Sequence, residues 1–311
     1  MCHNIQRDAE TAACLNLRFS PLSLDRREEY SALFSLCAER ASDYTFINIW
    51  GWSEERRYEW AFADDLCWLR VTNGPEPIYW APVGNWDRPD WAEVLNQAVA
   101  PGTVFERVPQ ALADIWTQRL ARYVLLEEQR SEWEYLYDCE KMVTLSGNKL
   151  HKKKNLLYQF QKLYSCTYAP ICSNCIGAIR GMQQEWCEWR GCEESPGLAA
   201  ENAAIARVLD QWENMPCIMG GSLSADGKTI AYTIAEDLGD GTVVIHFEKG
   251  LDSYKGVYQA INQIFLANTT GFHTVNREQD MGSPGIRQAK KSYNPKGFLK
   301  KYKVRWQGVT S

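Results

Sequence analysis

A glycine at the first turn of a helix, directly after an apolar strand, can hold an anion. Residues 242–298 carry that pattern. Val243, Val244, Ile245 and Phe247 form an apolar run rich in β-branched residues. Gly250 breaks the run, and Gly256 precedes Val257, Ala260, Ile261, Ile264, Phe265 and Ala267 at helical spacing. Such a helix start aims unpaired backbone N–H groups and the positive end of a dipole at one point, which suits phosphate. On the strand, His246 and Glu248 alternate with Ile245 and Phe247, an arrangement that predicts one shared face. Asn276, Arg277 and Glu278 follow the next extended run, Phe272 to Val275. A second concentration of charge lies upstream, where Lys149, His151, Lys152, Lys153 and Lys154 crowd the start of a helix with Leu150, Leu157, Phe160 and Leu163 on its apolar face. Cations there oppose the helix dipole, a local cost that a bound phosphate would offset. Both features have plainer readings, a packing unit and a solvated helix end.

Charge is divided unevenly. Residues 1–143 hold 14 Lys and Arg against 24 Asp and Glu, and residues 144–311 hold 20 against 15. After Asp280 there are no acids but eight bases: Arg287, Lys290, Lys291, Lys296, Lys300, Lys301, Lys303 and Arg305. This suggests an anionic ligand for the second half, or a solvated basic face. Eleven cysteines are scattered through the chain. The N-terminus lacks the apolar core of a secretory signal, so a reducing, cytoplasmic setting with free thiols is the expectation. Cys172 and Cys175 form a CxxC, but the downstream Cys187 and Cys192 are spaced poorly for zinc, and no metal site is expected. No apolar run approaches a membrane span.

The elements that must position these residues fall into two units. At 311 residues, with 45% hydrophobic and 23% charged content, the chain suits two globular cores. Residues 1–16 read as a frayed lead-in. Residues 17–143 read as an edge strand at Leu17 to Pro21, a helix from Arg26 to about Arg40, a meander from Tyr58 to Asn85, then helix, strand and helix. The second unit, residues 144–311, reads as helix, strand, two helices, a hairpin around Asp226-Gly227, then strand, helix and strand, with a polar loop after residue 276. The loose parallel between halves suggests a duplicated α/β or α+β layer.

LSGNKLHKKKN, GGSLSADGKTIAYTIAE, VVIHFEKG followed by YKGVYQAINQIF, and VNREQDMGSPGIRQAKKSYNP together resemble the bacterial family related to the C-terminal domain of phosphatidylglycerol lysyltransferase. SDYTFINIWGW and the PVG of the meander fit the same family, so the resemblance spans nearly the whole chain. It implies two tandem GNAT-like domains, each a mixed, mostly antiparallel sheet flanked by helices. It also implies a transferase whose donor is aminoacyl-tRNA, or acyl-CoA as in ordinary GNAT proteins, with no tightly bound cofactor. Lys255, Gly256, Val257 and Tyr258 then fall where a donor pyrophosphate sits, with Arg287 and Lys290 as further donor contacts. The single glycine departs from the Gly-rich GNAT signature and favours an aminoacyl-tRNA donor.

Transfer of this kind needs a deprotonated amine or hydroxyl and a stabilised oxyanion. Glu278 is the expected base, Arg277 the partner of phosphate or oxyanion, Tyr293 the acid for the leaving group, and Asn276 a residue orienting a carbonyl. His246, Glu248, Lys152 and Lys153 complete the expected substrate contacts. The acceptor is a small molecule, lipid or peptide. The alternative is a non-catalytic binder of tRNA or another anion on the basic half.

Overall fold

The computed structural model describes residue 15 and residues 17–309. The expected lead-in, residues 1–16, thus lies outside the described residues apart from residue 15. Fifteen strands are described: β1 (Ser20–Pro21), β2 (Tyr58–Ala63), β3 (Leu66–Val71), β4 (Ile78–Trp80), β5 (Val83–Gly84), β6 (Val104–Pro109), β7 (Val124–Glu128), β8 (Glu134–Asp138), β9 (Cys166–Pro170), β10 (Ile218–Ala225), β11 (Lys228–Asp237), β12 (Thr242–Gly250), β13 (Thr274–Asn276), β14 (Gly297–Leu299) and β15 (Lys301–Trp306). They form two sheets. The first runs β1-β2-β3-β4-β6-β15-β7, with β5 also on β3; the second runs β14-β8-β13-β12-β11-β10-β9. Each sheet has one parallel pair in an otherwise antiparallel array, β4 with β6 and β12 with β13. Helices flank both, which is the expected mixed α/β class.

The sheets do not divide at residue 143. β8 precedes that position yet lies between β14 and β13 of the second sheet. β15, near the end of the chain, lies between β6 and β7 of the first. Its alternation explains the placement: Val304 and Trp306 are fully buried, while Arg305 between them is exposed. A strand so charged reads as a basic tail until a partner sheet supplies its apolar neighbours.

One core joins the first sheet to one face of the second through the helices Ile176–Arg190 and Pro196–Asp210, with Tyr232, Ile234 and Phe247 contributed by β11 and β12. A second core lies on the other face, where Met142, Leu157, Phe160, Ile261 and Phe265 meet from three helices: Cys139–Thr144, His151–Leu163 and Val257–Ala267. Trp60, Trp68, Trp91, Trp116 and Trp306 are fully buried. Such indoles hide the largest apolar area per residue, which accounts for much of the aromatic content.

Two local features depart from the sequence expectation. The region read as a polar loop contains a helix, Pro284–Lys291, opened by Ser283 as N-cap and Pro284 in the first turn. None of its residues is buried, so the apolar pattern that reveals helices is missing. Cys187 and Cys192 are joined as a disulfide, not free. The left-handed Gly191 turns the chain at the end of helix Ile176–Arg190 and brings the two Cα atoms to 5.0 Å.

Candidate active site

β12 and β13 run parallel and paired only from Thr242–Thr274 to Val244–Asn276. β13 then ends while β12 continues to Gly250, so the strands part and a wedge opens at Asn276. The chain turns there through Glu278, which has a left-handed backbone at φ 56°. That conformation costs a non-glycine residue roughly 1–3 kcal/mol and persists only where its surroundings enforce it. Two devices enforce it here. The Glu278 N–H donates to Asn276 Oδ1 at 2.8 Å. The Lys290 ammonium donates to the carbonyls of Arg277, Glu278 and Gln279.

Glu278 Oε1 accepts from Asn48 Nδ2 at 2.8 Å and lies 2.9 Å from His246 Nδ1. His246 Nε2 lies 3.0 Å from Glu236 Oε2. Burial opposes charge on this imidazole, but its hydrogen bonds to Glu236 and Glu278 outweigh that and lift its pKa to about 9. At neutral pH a buried imidazolium thus bridges two carboxylates. The second oxygen of Glu278 has no protein partner among the described residues, and the side chain is 19% exposed.

The predicted shared face of His246 and Glu248 does not form. β11 and β12 shift register between Ile234–Phe247 and Ala235–Ile245, leaving His246 as the extra residue of a bulge. A bulge breaks strict alternation. His246 accordingly meets Glu236 and Glu278, whereas Glu248 meets the helix Val257–Ala267 through Asn262, at 2.9 Å, and Arg277, also at 2.9 Å. The Arg277 guanidinium stacks over the Tyr293 ring at 5.0 Å, and Lys153 Nζ sits 4.4 Å from the same ring. Gln259 donates to the Tyr293 hydroxyl at 3.3 Å. Burial, and then the nearby Arg277 charge, both lower the Lys153 pKa. Tyr293 also lines a cavity of about 270 Å³ shared with Lys141, Asn148, Lys149 and Lys296. The wedge and the lysine-rich helix start thus meet at Tyr293.

Several expected contacts are otherwise engaged. Asn276 is buried, with its amide NH₂ on Glu134 and its carbonyl on the Glu278 N–H, so it orients the backbone and not a substrate carbonyl. Arg287 makes two hydrogen bonds to the buried Asp280, which Tyr135 and Arg130 also contact. Lys290 holds the 277–279 turn. The helix start at Gly256 is closed: a Cβ there would lie 2.4 Å from the Leu156 carbonyl oxygen of helix His151–Leu163. The Lys255 N–H bonds the Tyr164 hydroxyl, the Val257 N–H bonds the Tyr254 carbonyl, and the Tyr258 hydroxyl accepts from Trp186. The anion cradle read from the sequence is therefore a packed helix junction. Lys152 is exposed, with no acid partner among the described residues.

Part of the basic tail is also engaged within the fold. Lys301 is buried between Asp43 and Glu134, Lys303 pairs with Glu106, and Arg305 donates to the Gly102 carbonyl. Lys301 and Lys303 thus meet acids of the first half through β15. The participants that sequence reasoning missed are Asn48, Glu236, Gln259 and Asn262. Asn48 left one signal, a lone amide inside the apolar run Phe46 to Trp50. Among the described residues no group of three or more His, Cys, Asp or Glu side chains is arranged to hold a metal ion, and no helix is long and apolar enough to cross a membrane.

The profile of the family described as phosphatidylglycerol lysyltransferase, C-terminal, matches residues 34–305. A conserved protein of unknown function from Bacteroides thetaiotaomicron superposes with a TM-score of 0.84 at 26% identity, covering 93% of this chain and 99% of that one. L-PGS from Bacillus licheniformis superposes at 0.62 with 12% identity, covering 91% and 92%, which shows a common fold. An uncharacterised protein of Mycoplasmoides gallisepticum is 29% identical over 185 residues, 56% of each chain. The chain thus spans about half the length of that curated relative.

Proposed function

Since this chain belongs to the phosphatidylglycerol lysyltransferase C-terminal family, we propose that it transfers an aminoacyl group from aminoacyl-tRNA to an amine or hydroxyl acceptor. The observation that supports this reading lies at the end of the β12–β13 pairing, where Glu278 keeps an oxygen with no protein partner among the described residues and the neighbouring Arg277 packs over the Tyr293 ring. In this reading Glu278 accepts the acceptor's proton, directly or through water. The nucleophile attacks the ester carbonyl, Arg277 stabilises the oxyanion, and the C–O bond to the tRNA breaks as Tyr293 protonates the leaving oxygen. His246 and Asn48 hold the reacting carboxylate in place through its other oxygen.

The helix start at Gly256 supports aminoacyl-tRNA over acyl-CoA, because Gly256 packs against the Leu156 carbonyl and the Lys255 and Val257 N–H groups are already bonded within the fold. Lys152 and Lys154 support the same donor, since neither pairs with an acid among the described residues. The test is turnover of charged tRNA, read as loss of aminoacyl-tRNA faster than spontaneous hydrolysis with the aminoacyl group recovered on an acceptor fraction. Tight, salt-sensitive tRNA binding without turnover would instead favour the non-catalytic binder. Turnover of acyl-CoA alone would move the donor assignment to the GNAT type.

A further inference from the structure

Cys172 and Cys175 play no part in the wedge. Strand β9 ends at Pro170, and a 3-10 turn, Ser173–Cys175, leads into helix Ile176–Arg190. A 3-10 turn nearly eclipses residues three apart, so the two side chains face each other. Their Sγ atoms lie 3.6 Å apart, the Cys172 N–H donates to Cys175 Sγ at 2.9 Å, and the Cys175 N–H donates to the Cys172 carbonyl at 2.9 Å. Cys172 is exposed and Cys175 half-buried. Both precede the first turn of a 15-residue helix, and burial raises the pKa of the Cys175 thiol, which suits it to the role of the second, resolving sulfur.

The other free thiols are placed differently. Cys37, Cys67 and Cys139 are buried, and burial pushes the Cys37 thiol up to about 12 and Cys67 well above its ordinary range. Cys166 and Cys217 are raised by burial as Cys175 is, but neither has a second thiol beside it among the described residues. Only Cys172 and Cys175 combine an accessible sulfur with a second thiol in van der Waals contact among the described residues.

We propose that Cys172 and Cys175 form a redox-active dithiol that exchanges with low-molecular-weight disulfides such as oxidised glutathione. The Cys172 thiolate attacks one sulfur of glutathione disulfide, forming a mixed disulfide and releasing one glutathione thiolate. Cys175 then loses its proton and attacks the Cys172 sulfur. The protein disulfide forms, the second glutathione leaves as its thiolate, and two electrons have passed from the protein to the glutathione pair. The two sulfurs start 3.6 Å apart, and the Cys175 N–H bond to the Cys172 carbonyl holds the two residues in one turn.

The experiment equilibrates the full chain in buffers of graded reduced to oxidised glutathione, alkylates the remaining thiols and maps them by peptide mass spectrometry. The expected result is simultaneous loss of alkylation at Cys172 and Cys175, with a peptide two hydrogens lighter, reversed by excess reduced glutathione. Cys175→Ser should accumulate a stable glutathione adduct on Cys172, since the resolving thiol is gone. This variant changes a partly exposed turn residue, and far-UV circular dichroism confirms its fold. Three outcomes overturn the proposal: alkylation of both thiols in fully oxidised glutathione, a lasting glutathione adduct in the unmodified chain, or pairing of Cys172 with Cys217.

Discussion

Glu278 carries the most specific burden in this molecule. It sits in a left-handed backbone conformation, and its carboxylate is tied at one oxygen only. Glu278→Gln keeps the shape and both contacts within reach but removes the base. If Glu278 is the general base, transfer should fall by about 10²-fold or more while donor binding is retained, because general bases contribute on that scale. Single-turnover rates beside equilibrium donor affinity would check this, and an unchanged rate would remove Glu278 from the chemistry. His246 governs a separate property. Its folded pKa of about 9 lies above the ordinary 6.5, so the folded state binds the extra proton between those values. The stability it contributes is full below about pH 6.5 and is lost as pH rises through about 9, on the order of 3 kcal/mol in all. Urea midpoints should therefore drop between pH 6.5 and 9.5, and His246→Gln should flatten that slope.

Among the elements, the helices Val257–Ala267 and His151–Leu163 decide where an anion can go. Gly256, at φ 86°, lets the first begin against the Leu156 carbonyl of the second. A Gly256→Ala change adds a collision to a left-handed strain and should destabilise the fold by about 2 kcal/mol or more. Thermal unfolding checks this. The second helix keeps its basic start exposed. Changing Lys149, Lys152 and Lys154 to Gln should weaken tRNA binding and shallow its salt dependence by roughly 0.7–0.9 log units for each phosphate no longer neutralised. Titrations at several salt concentrations measure that slope, and an unchanged slope would place the RNA elsewhere.

At the scale of the whole molecule, the two sheets are locked by a buried polar seam. Lys301 of β15 contacts Asp43 and Glu134, Asp43 also pairs with Arg107, and Arg107 reaches Glu132 at 3.0 Å. Glu134 in turn holds Asn276, and through it the Glu278 turn. Burial lowers the Lys301 pKa well below its ordinary value and raises that of Glu134 to about 8, so removing one partner leaves desolvated polar groups without their hydrogen bonds, at about 1–3 kcal/mol each. Lys301→Met should therefore destabilise the chain by about that much and reduce transfer through a loosened Glu278, both read from urea unfolding beside activity. An unaltered midpoint would mean the seam contributes little.

The local elements were largely legible. The hairpin β10–β11 around Asp226-Gly227, the strand β12 and the helix Val257–Ala267 each follow from turn chemistry and apolar period, which are properties of neighbours in the chain. The cluster of Arg277, Glu278 and His246 was also visible as a set of residue types. What the sequence alone did not determine is every feature that depends on distant contact. The bulge at His246 needs the register of β11 against β12, the placement of β15 needs β6 and β7, and the closing of Gly256 needs a helix from much earlier in the chain. Lysines that look alike in the chain separate into buried partners, such as Lys301, and open ones, such as Lys152, only when packing sets the distance to an acid. Charge type is written in the sequence; whether that charge is neutralised is decided by the tertiary structure, because Coulomb energy depends on separation and burial.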